Sequence, residues 1–351
     1  MKKFKVLGGR IVKTGIAVFL TSLICQLLNW PAVFAVITAI VTIEPTAADS
    51  IKKGLIRLPA SAIGSAYAVL FIFLFGNSPI TYTAAAVFTI VTCFRLKLHS
   101  GLLVATLTSV AMIEVIHSNY LISFFIRLGT TSIGLLVSTA VNMFVYPPNY
   151  SSLILKNIHS LARTTGIELE NILKATLNGQ KPKEKLIRDT FSQLKRRLDK
   201  TEMLIRFQKE ESKYHRFDEQ AKRVFLSEQE KLAALRLIHY HIGNLINTPL
   251  DTLLWSTEEK EKVLETVECL AAALKNSDKF NPEEHRRQIQ ALMAQFWKSK
   301  KEAAKPDSTD HPTFFTSEII ILYELLSIYN LVEDLLKEEA TSEDMPSPSN
   351  S

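Results

Sequence analysis

Residues 16–43 read IAVFLTSLICQLLNWPAVFAVITAIVTI, twenty-eight positions without a charged side chain. A hydrocarbon layer about 30 Å thick takes roughly 20 apolar residues as a helix, so this run is too long for one comfortable span. Its middle holds Asn29-Trp30-Pro31. Proline lacks an N–H and biases the preceding residue away from helix, so a tight turn there divides the run into two helices. The flanking charges agree: Lys2, Lys3, Lys5, Arg10 and Lys13 precede the pair, and Lys52, Lys53 and Arg57 come after it. The positive-inside rule places both clusters in the cytoplasm, which two spans permit and one does not. A cleaved signal peptide ending near Val33-Phe34-Ala35 is the competing reading of residues 1–35, and the apolar run continuing to Ile43 argues against it.

Working outward, further spans read as Leu58–Gly76, Pro79–Phe94, Gly101–Ile116 and Tyr120–Tyr146, with Arg95, Lys97 and His99 in a cytoplasmic loop. The expectation is a six-helix transmembrane domain over residues 1–148 with both termini inside. The charge of the 351-residue chain divides accordingly. Residues 1–148 carry 11 basic and 3 acidic side chains and residues 149–351 carry 30 and 32, so the net +6 is an average of two unlike halves. An ordinary water-soluble fold is excluded for the first half, and an all-β fold is unsupported because the periodicity is helical. Cys25, Cys93 and Cys269 are too few and too far apart for a disulfide scaffold.

Shifted against itself by 70 positions, the membrane half pairs Ala35 with Ala105, Thr38 with Thr108, Ile43 with Ile113, Glu44 with Glu114, Arg57 with Arg127, Leu58 with Leu128, Ile63 with Ile133 and Gly64 with Gly134. An odd number of spans per unit turns the second copy upside down, and inverted repeats of this kind build many transporters. Ala60, Gly64 and Ala68, and likewise Thr130, Gly134, Ser138 and Asn142, recur every four residues and suit close helix packing.

Charged groups inside a bilayer are costly, about 2.5–3.5 kcal/mol each on insertion scales, and so point to function. Arg127 lies well inside the last span, either snorkelling to the outer headgroups or lining a polar path. Together with Arg57 it offers planar forks that suit a carboxylate. Glu44 and Glu114 end the second helix of each unit and either pair with these arginines until an anion competes, or relay protons. His117 has a pKa range near neutrality, or is simply a loop histidine.

The segment Ile43-Glu44-Pro45-Thr46, then Ser50, then Lys53-Gly54-Leu55-Ile56-Arg57, with Ile63-Gly64 beyond it, resembles the signature of the bacterial aromatic acid exporter family, with fusaric acid resistance proteins and aluminium-activated malate transporters as distant relatives. Asn142 with Pro147-Pro148 beyond it is similar to the end of the same membrane domain. The likeness covers about residues 5–150. It implies a six-helix, dimeric exporter of small organic anions, aromatic carboxylic acids among the candidates, and carries over Glu44, Pro45, Thr46, Lys53, Gly54, Arg57 and Gly64. Pro59-Ala60 departs from the pattern, where a Gly-Thr pair is expected, and Gly129-Thr130 supplies that pair in the second unit.

After Pro148 the chain turns amphipathic, and residues 149–339 read as a cytoplasmic helical bundle. Ile154, Ile158, Leu161, Leu169, Ile172 and Leu173 form one stripe, ended by Asn178-Gly179. Further helices are expected over 182–212, 215–247, 257–275, 282–303 and 317–339, the fourth and fifth joined by the polar linker Lys305–Pro312. Ser256 with Glu259 has capping-box spacing, and Asn281-Pro282 marks a helix start. The last helix is too interrupted by Glu318, Glu324 and Glu333 to be a seventh span. Residues 340–351 have a disordered composition.

His239 and His241 fall on different helix faces, which argues against a shared metal, and no phosphate-cradling glycine loop is present. Lys195-Arg196-Arg197 is offset by Asp189, Asp199 and Glu202, a solvated face rather than a nucleic-acid site. The fold class is therefore all-α, two inverted three-helix repeats and then a bundle. The expected function is a non-enzymatic exporter of small organic anions in the cell membrane, without cofactor, metal or nucleic acid, with the lipid bilayer and a second copy as partners. The pathway candidates are Arg57, Arg127, Glu44, Glu114, Thr46, Lys53 and Asn142, and Gly54, Gly64 and Gly134 are helix-packing positions. A passive anion channel and a membrane-anchored interaction or sensor protein are the alternatives.

Overall fold

The computed structural model describes residues 9–115, 119–145, 147–177, 184–215, 217–247, 253, 255–303 and 315–343, and among these every regular element is helical. They fall into two compact units. One comprises residues 1–149 together with 207–216, and the other residues 150–206 and 217–351.

In the first unit the charge-free run divides where proline requires it, into α1 (Gly9–Leu27) and α2 (Ala32–Thr42). Asn29 takes the left-handed conformation at φ 54°, and the Trp30 N–H returns to the Cys25 carbonyl at 2.9 Å, closing the first helix. Next come α3 (Ala47–Phe75), α4 (Pro79–Arg95), α5 (Leu102–Val115) and α6 (Tyr120–Ala140), α6 passing into a π-helical turn, Val141–Val145. α4 ends as α1 does, with Lys97 at φ 57° and Leu98 N–H on the Cys93 carbonyl at 2.9 Å.

α1, α3 and α6 with its turn are long and apolar enough to cross a membrane, whereas α2, α4 and the stretch His99–Glu114 are shorter apolar helices. What they bury and expose is inverted relative to a water-soluble domain. The interior is lined by Ala17, Thr21, Ala60, Ser61, Ser65, Thr130, Thr131 and Ser138, while Phe19, Leu27, Phe73, Leu121, Leu136 and Phe144 face outward. Small and hydroxyl-bearing residues inside with large apolar ones outside is the arrangement a lipid solvent selects.

Helix packing within the unit has a second order. α3 packs on α4, α5 and α6, and α6 packs on α1, α2 and α3; α1 meets α2 as α4 meets α5. From Arg57 onward the buried positions of α3, namely Arg57, Ala60, Ser61, Gly64, Ser65, Ala68, Phe71 and Ile72, recur 70 residues later as Arg127, Thr130, Thr131, Gly134, Leu135, Ser138, Val141 and Asn142, whereas the buried Ser50 and Gly54 answer to the exposed Tyr120 and the half-buried Phe124. Phe34, Ala35, Thr38, Ala39, Thr42 and Ile43 recur as the buried Val104, Ala105, Thr108, Ser109, Met112 and Ile113. A Cβ on Gly64 would overlap the Ala105 carbonyl, and one on Gly134 the Ala35 carbonyl. These two contacts exchange under the same offset.

Boundaries differ from those the sequence predicts: α1 begins at Gly9, not Ile16, so Arg10 and Lys13 stand on the helix. α3 begins at Ala47, not Leu58, so Lys52, Lys53 and Arg57 stand on the helix rather than before it. Thr46 makes the early start possible: its hydroxyl accepts the Asp49 N–H at 3.0 Å and caps the helix. Pro59 is carried inside this helix. The last span ends in the π-turn instead of continuing as α-helix to Tyr146, a residue outside the described set.

The second unit contains α7 (Ser151–Leu177), most of α8 (Glu184–Glu211), α9 (Glu219–Asn247), α10 (Thr257–Lys275), α11 (Pro282–Ala303) and α12 (Ser317–Glu343). α7 packs on α9 and α10, and α12 packs on α9 and α11. Leu161, Leu169, Leu235, Ile238, Val267, Ile321 and Leu325 meet in its core, and the Tyr329 hydroxyl donates to the Thr266 carbonyl at 3.0 Å. The capping box at Ser256 and Glu259 forms as its spacing requires. α12 reaches Glu343, so residues 340–343 are helical where the composition predicts a tail, while 344–351, the linker Lys305–Pro312, His117 and Asn178-Gly179 lie outside the described residues. Lys195, Arg196 and Arg197 are all exposed, as a solvated face requires; Arg197 donates to Ser160 and Thr164, and Asp199 and Glu202 pair with Arg236 of α9. His241 pairs with Glu324, while His239 stacks on Phe191 at 3.8 Å, so the two histidines have separate surroundings.

Candidate functional site

The charged residues of the first unit form two unlike arrangements, one at each arginine of the 70-residue pair. The first surrounds Arg57, which is 6% exposed. Proline at position 45 stops α2, leaving Glu44 in the short connection to α3, where its carboxylate faces the first turns of that helix. Glu44 Oε1 accepts from Arg57 Nη2 at 2.7 Å and Oε2 from Lys53 Nζ at 2.9 Å. The other Arg57 donors reach the Val41 carbonyl at 3.2 Å and the Ser100 carbonyl at 3.3 Å. Every guanidinium nitrogen therefore has a partner. Burial acts to raise the Glu44 carboxyl, but the hydrogen bonds and charges of Lys53 and Arg57 outweigh it, and the group is held below the ordinary carboxylate value.

Asn142 in the π-turn secures this corner. Fully buried, it donates to the Ser50 hydroxyl at 2.8 Å and to the carbonyls of Glu44 and Thr46, both at 3.2 Å. Its own carbonyl accepts from the buried Lys13 ammonium at 2.8 Å. The Glu-Pro-Thr connection is thus clamped by a residue almost a hundred positions away. A π-turn is a common device for aiming such a side chain. Glu211, in the segment 207–216 of the same unit, accepts the Ala47 N–H at 3.0 Å and holds His215 at 2.9 Å, so a carboxylate completes the start of α3.

The second arrangement surrounds Arg127, 5% exposed. Its Nη2 donates to the Thr108 hydroxyl, and its guanidinium carbon lies 3.9 Å from the centroid of the Phe34 ring. Thr108 stands 3.4 Å from the Ser61 hydroxyl, and Ser61 stands 3.2 Å from Thr131. Ser61 and Thr131 are themselves a 70-offset pair, so these hydroxyls meet where the two halves of the unit join. Nε and Nη1 of Arg127 are buried without a hydrogen-bond partner among the described residues. Glu114 does not approach as Glu44 approaches Arg57. It is exposed and accepts the Tyr82 hydroxyl instead.

Of the candidates from sequence, Glu44, Lys53, Arg57, Thr46 and Asn142 come together at one corner, Arg127 stands apart near the centre, and Glu114 belongs to neither. Gly64 and Gly134 are required by close backbone approach, whereas a Cβ on Gly54 would make only an ordinary contact with Leu135. Sequence reasoning does not find Lys13, Phe34, Ser61, Thr108, Thr131 and Glu211 as members of these arrangements. The offset pairing of Ser61 with Thr131 is a usable signal. Nothing local marks Glu211.

The chemistry available is anion recognition. A buried guanidinium has two nitrogens without a partner, an aromatic face at van der Waals distance and a group of three hydroxyls that begins at Thr108. Residues 5–145 match the family model described as aromatic acid exporter family member 1. Over 95% of its length the chain is 48% identical to a UPF0421 protein of Oceanobacillus iheyensis, covering 96% of that protein. It is 47% identical to a UPF0421 protein of Bacillus cereus over 95% of this chain and 94% of the other, and 38% identical to one of Staphylococcus haemolyticus over 93% and 98%. Its apolar helices are those of a membrane protein, its residues 5–145 are similar to the aromatic acid exporters, and the chain as a whole belongs with the UPF0421 proteins.

Proposed function

We propose that this protein exports small organic anions across the cell membrane and that Arg127 is the group that receives the carboxylate. The observation that carries the reading is the state of that side chain: a cation removed from solvent, with two N–H donors uncommitted and one face covered by Phe34. Leaving buried donors unmade costs about 1–3 kcal/mol each, more for charged groups, and a carboxylate accepting at one of these nitrogens would recover part of it. An aromatic carboxylate is the candidate that the match to the aromatic acid exporters suggests, its charge meeting the guanidinium that Phe34 backs. Ser61, Thr108 and Thr131 would hydrogen-bond a ring hydroxyl or the second carboxylate oxygen.

The carrier scaffold we infer is a six-span, multi-pass domain of two inverted three-helix repeats, α1–α3 and α4–α6, with both termini in the cytoplasm. Matching burial along α3 and α6, the exchanged Gly64–Ala105 and Gly134–Ala35 approaches and the matching ends of α1 and α4 support it. Substrate sites in such scaffolds lie where the repeats meet, which is where Ser61 and Thr131 stand. The outward apolar residues would be shared between lipid and a second copy in a homodimer.

The test is efflux of radiolabelled benzoate from proteoliposomes containing the full-length protein. Arg127→Ala is expected to lower efflux by roughly a hundredfold, and Arg127→Lys to recover only part, since an ammonium keeps the charge but not the fork. Unchanged efflux in Arg127→Ala would overturn the reading. Large currents down the anion gradient, without saturation, would replace the carrier by a channel.

A further inference from the structure

We propose that Glu114 is the internal carboxylate that releases the transported anion from Arg127, by taking at that arginine the place that Glu44 holds at Arg57. The inference rests on the anion-export reading and adds to it a residue and a step.

Glu44 and Arg57 on one side, and Glu114 and Arg127 on the other, are the same pair 70 residues apart, with the same separation in sequence. Glu44 follows the second helix of its half and Glu114 lies in the last turn of the corresponding helix, and each arginine lies on the buried stripe of the third. Arg127 already reaches α5 through the Thr108 hydroxyl, and Glu114 lies further along that same helix.

Yet the two are in opposite conditions. Arg57 is closed by Glu44 and two carbonyls, whereas Arg127 keeps two buried donors free and Glu114 is turned to the Tyr82 hydroxyl. A two-fold related scaffold with one pair closed and its counterpart open is one of two equivalent conformations. The other has Glu114 on Arg127 and Arg57 released. An anion on Arg127 occupies the donors that Glu114 needs, so anion and glutamate exclude each other there. Arrival of Glu114 expels the anion and closes that side behind it.

The sequence also says which conformation is preferred at rest. Glu44 has a second cation, Lys53, whose offset counterpart is Ser123. The closed Glu44–Arg57 pair thus has an ammonium that the Glu114–Arg127 pair lacks, and Tyr82 supplies Glu114 with an alternative neutral partner. The resting molecule is accordingly closed at Arg57 and open at Arg127.

The experiment uses full-length protein in proteoliposomes with labelled benzoate as the probe, measuring equilibrium binding and efflux turnover separately. In Glu114→Gln, binding should stay or tighten while turnover falls roughly tenfold or more, and Glu114→Asp should restore most of it. Arg127→Ala is the companion: if benzoate binding survives it, the anion-export reading at Arg127 fails. If binding needs Arg127 but Glu114→Gln turns over normally, the release step alone is overturned.

Discussion

A buried charge is only as stable as its partners, and Glu44 is the partner of two. Its carboxylate satisfies both cations, so Glu44→Gln leaves the buried Arg57 without a counter-charge and Lys53 with Asp49 alone at 3.8 Å. The expected cost is about 1–3 kcal/mol of stability, measured as a lower melting temperature of the purified full chain. The direction of the shift sets the sign of its pH dependence. The folded carboxyl is held below its ordinary value, so its contribution is present above the usual carboxylate range and is lost as pH falls through the depressed value. His239 behaves as the buried base. Burial first, then the charges of Lys195 and Arg236, push it down to about 4, and its ring stacks on Phe191 with both nitrogens unpartnered among the described residues. A depressed histidine stabilises the fold fully above its ordinary value of 6.5, and that stability drains as pH falls toward about 4. Melting temperature should therefore drop between those limits, and His239→Phe should flatten the drop while keeping the stack. A variant that still melts with the parent's slope would remove His239 as its origin.

The helices themselves are legible in the sequence where local chemistry sets their ends, and less so where distant groups do. Asn29-Trp30-Pro31 divides α1 from α2 because proline's missing N–H and a left-handed residue act within a single turn. The start of α3 is hidden because Lys52, Lys53 and Arg57 look like loop residues. They are helical because Thr46 caps the helix, Glu44 neutralises two of them, and Asn142 and Glu211 hold the connection from far away in sequence. No period-3.6 pattern reports such partners. The glycines make a sharper case. Gly64 and Gly134 allow α3 and α6 to touch carbonyls of the opposite half, while Gly54 has ordinary room. Gly64→Ala and Gly134→Ala should each destabilise the detergent-solubilised protein by about 1–3 kcal/mol, since backbone rather than a flexible side chain must yield. Gly54→Ala should be neutral or slightly stabilising, because alanine is the better helix former. Equal losses at all three would show that small size on a helix, not close approach, is what matters.

Across the whole membrane unit, one number organises what the sequence reveals and what it conceals. The offset of 70 is visible in a handful of identities such as Glu44 with Glu114 and Gly64 with Gly134. It proves far deeper in burial, where Ser65 answers to Leu135 and Ile72 to Asn142 without any chemical likeness. The two halves share the positions that face inward but differ in what stands there, and that difference is how one half locks its arginine and the other leaves it free. If the halves are antiparallel, equivalent residues must open to opposite sides of the membrane. Lys52 and Ile122 are such a pair, both exposed, near the starts of α3 and α6. In a background lacking the three native cysteines, Lys52→Cys should react with an impermeant maleimide only from the cytoplasmic side, and Ile122→Cys only from the outside. Labelling of both from one side would make the two halves parallel, and the exchange between Glu44–Arg57 and Glu114–Arg127 would then lose the symmetry on which it depends.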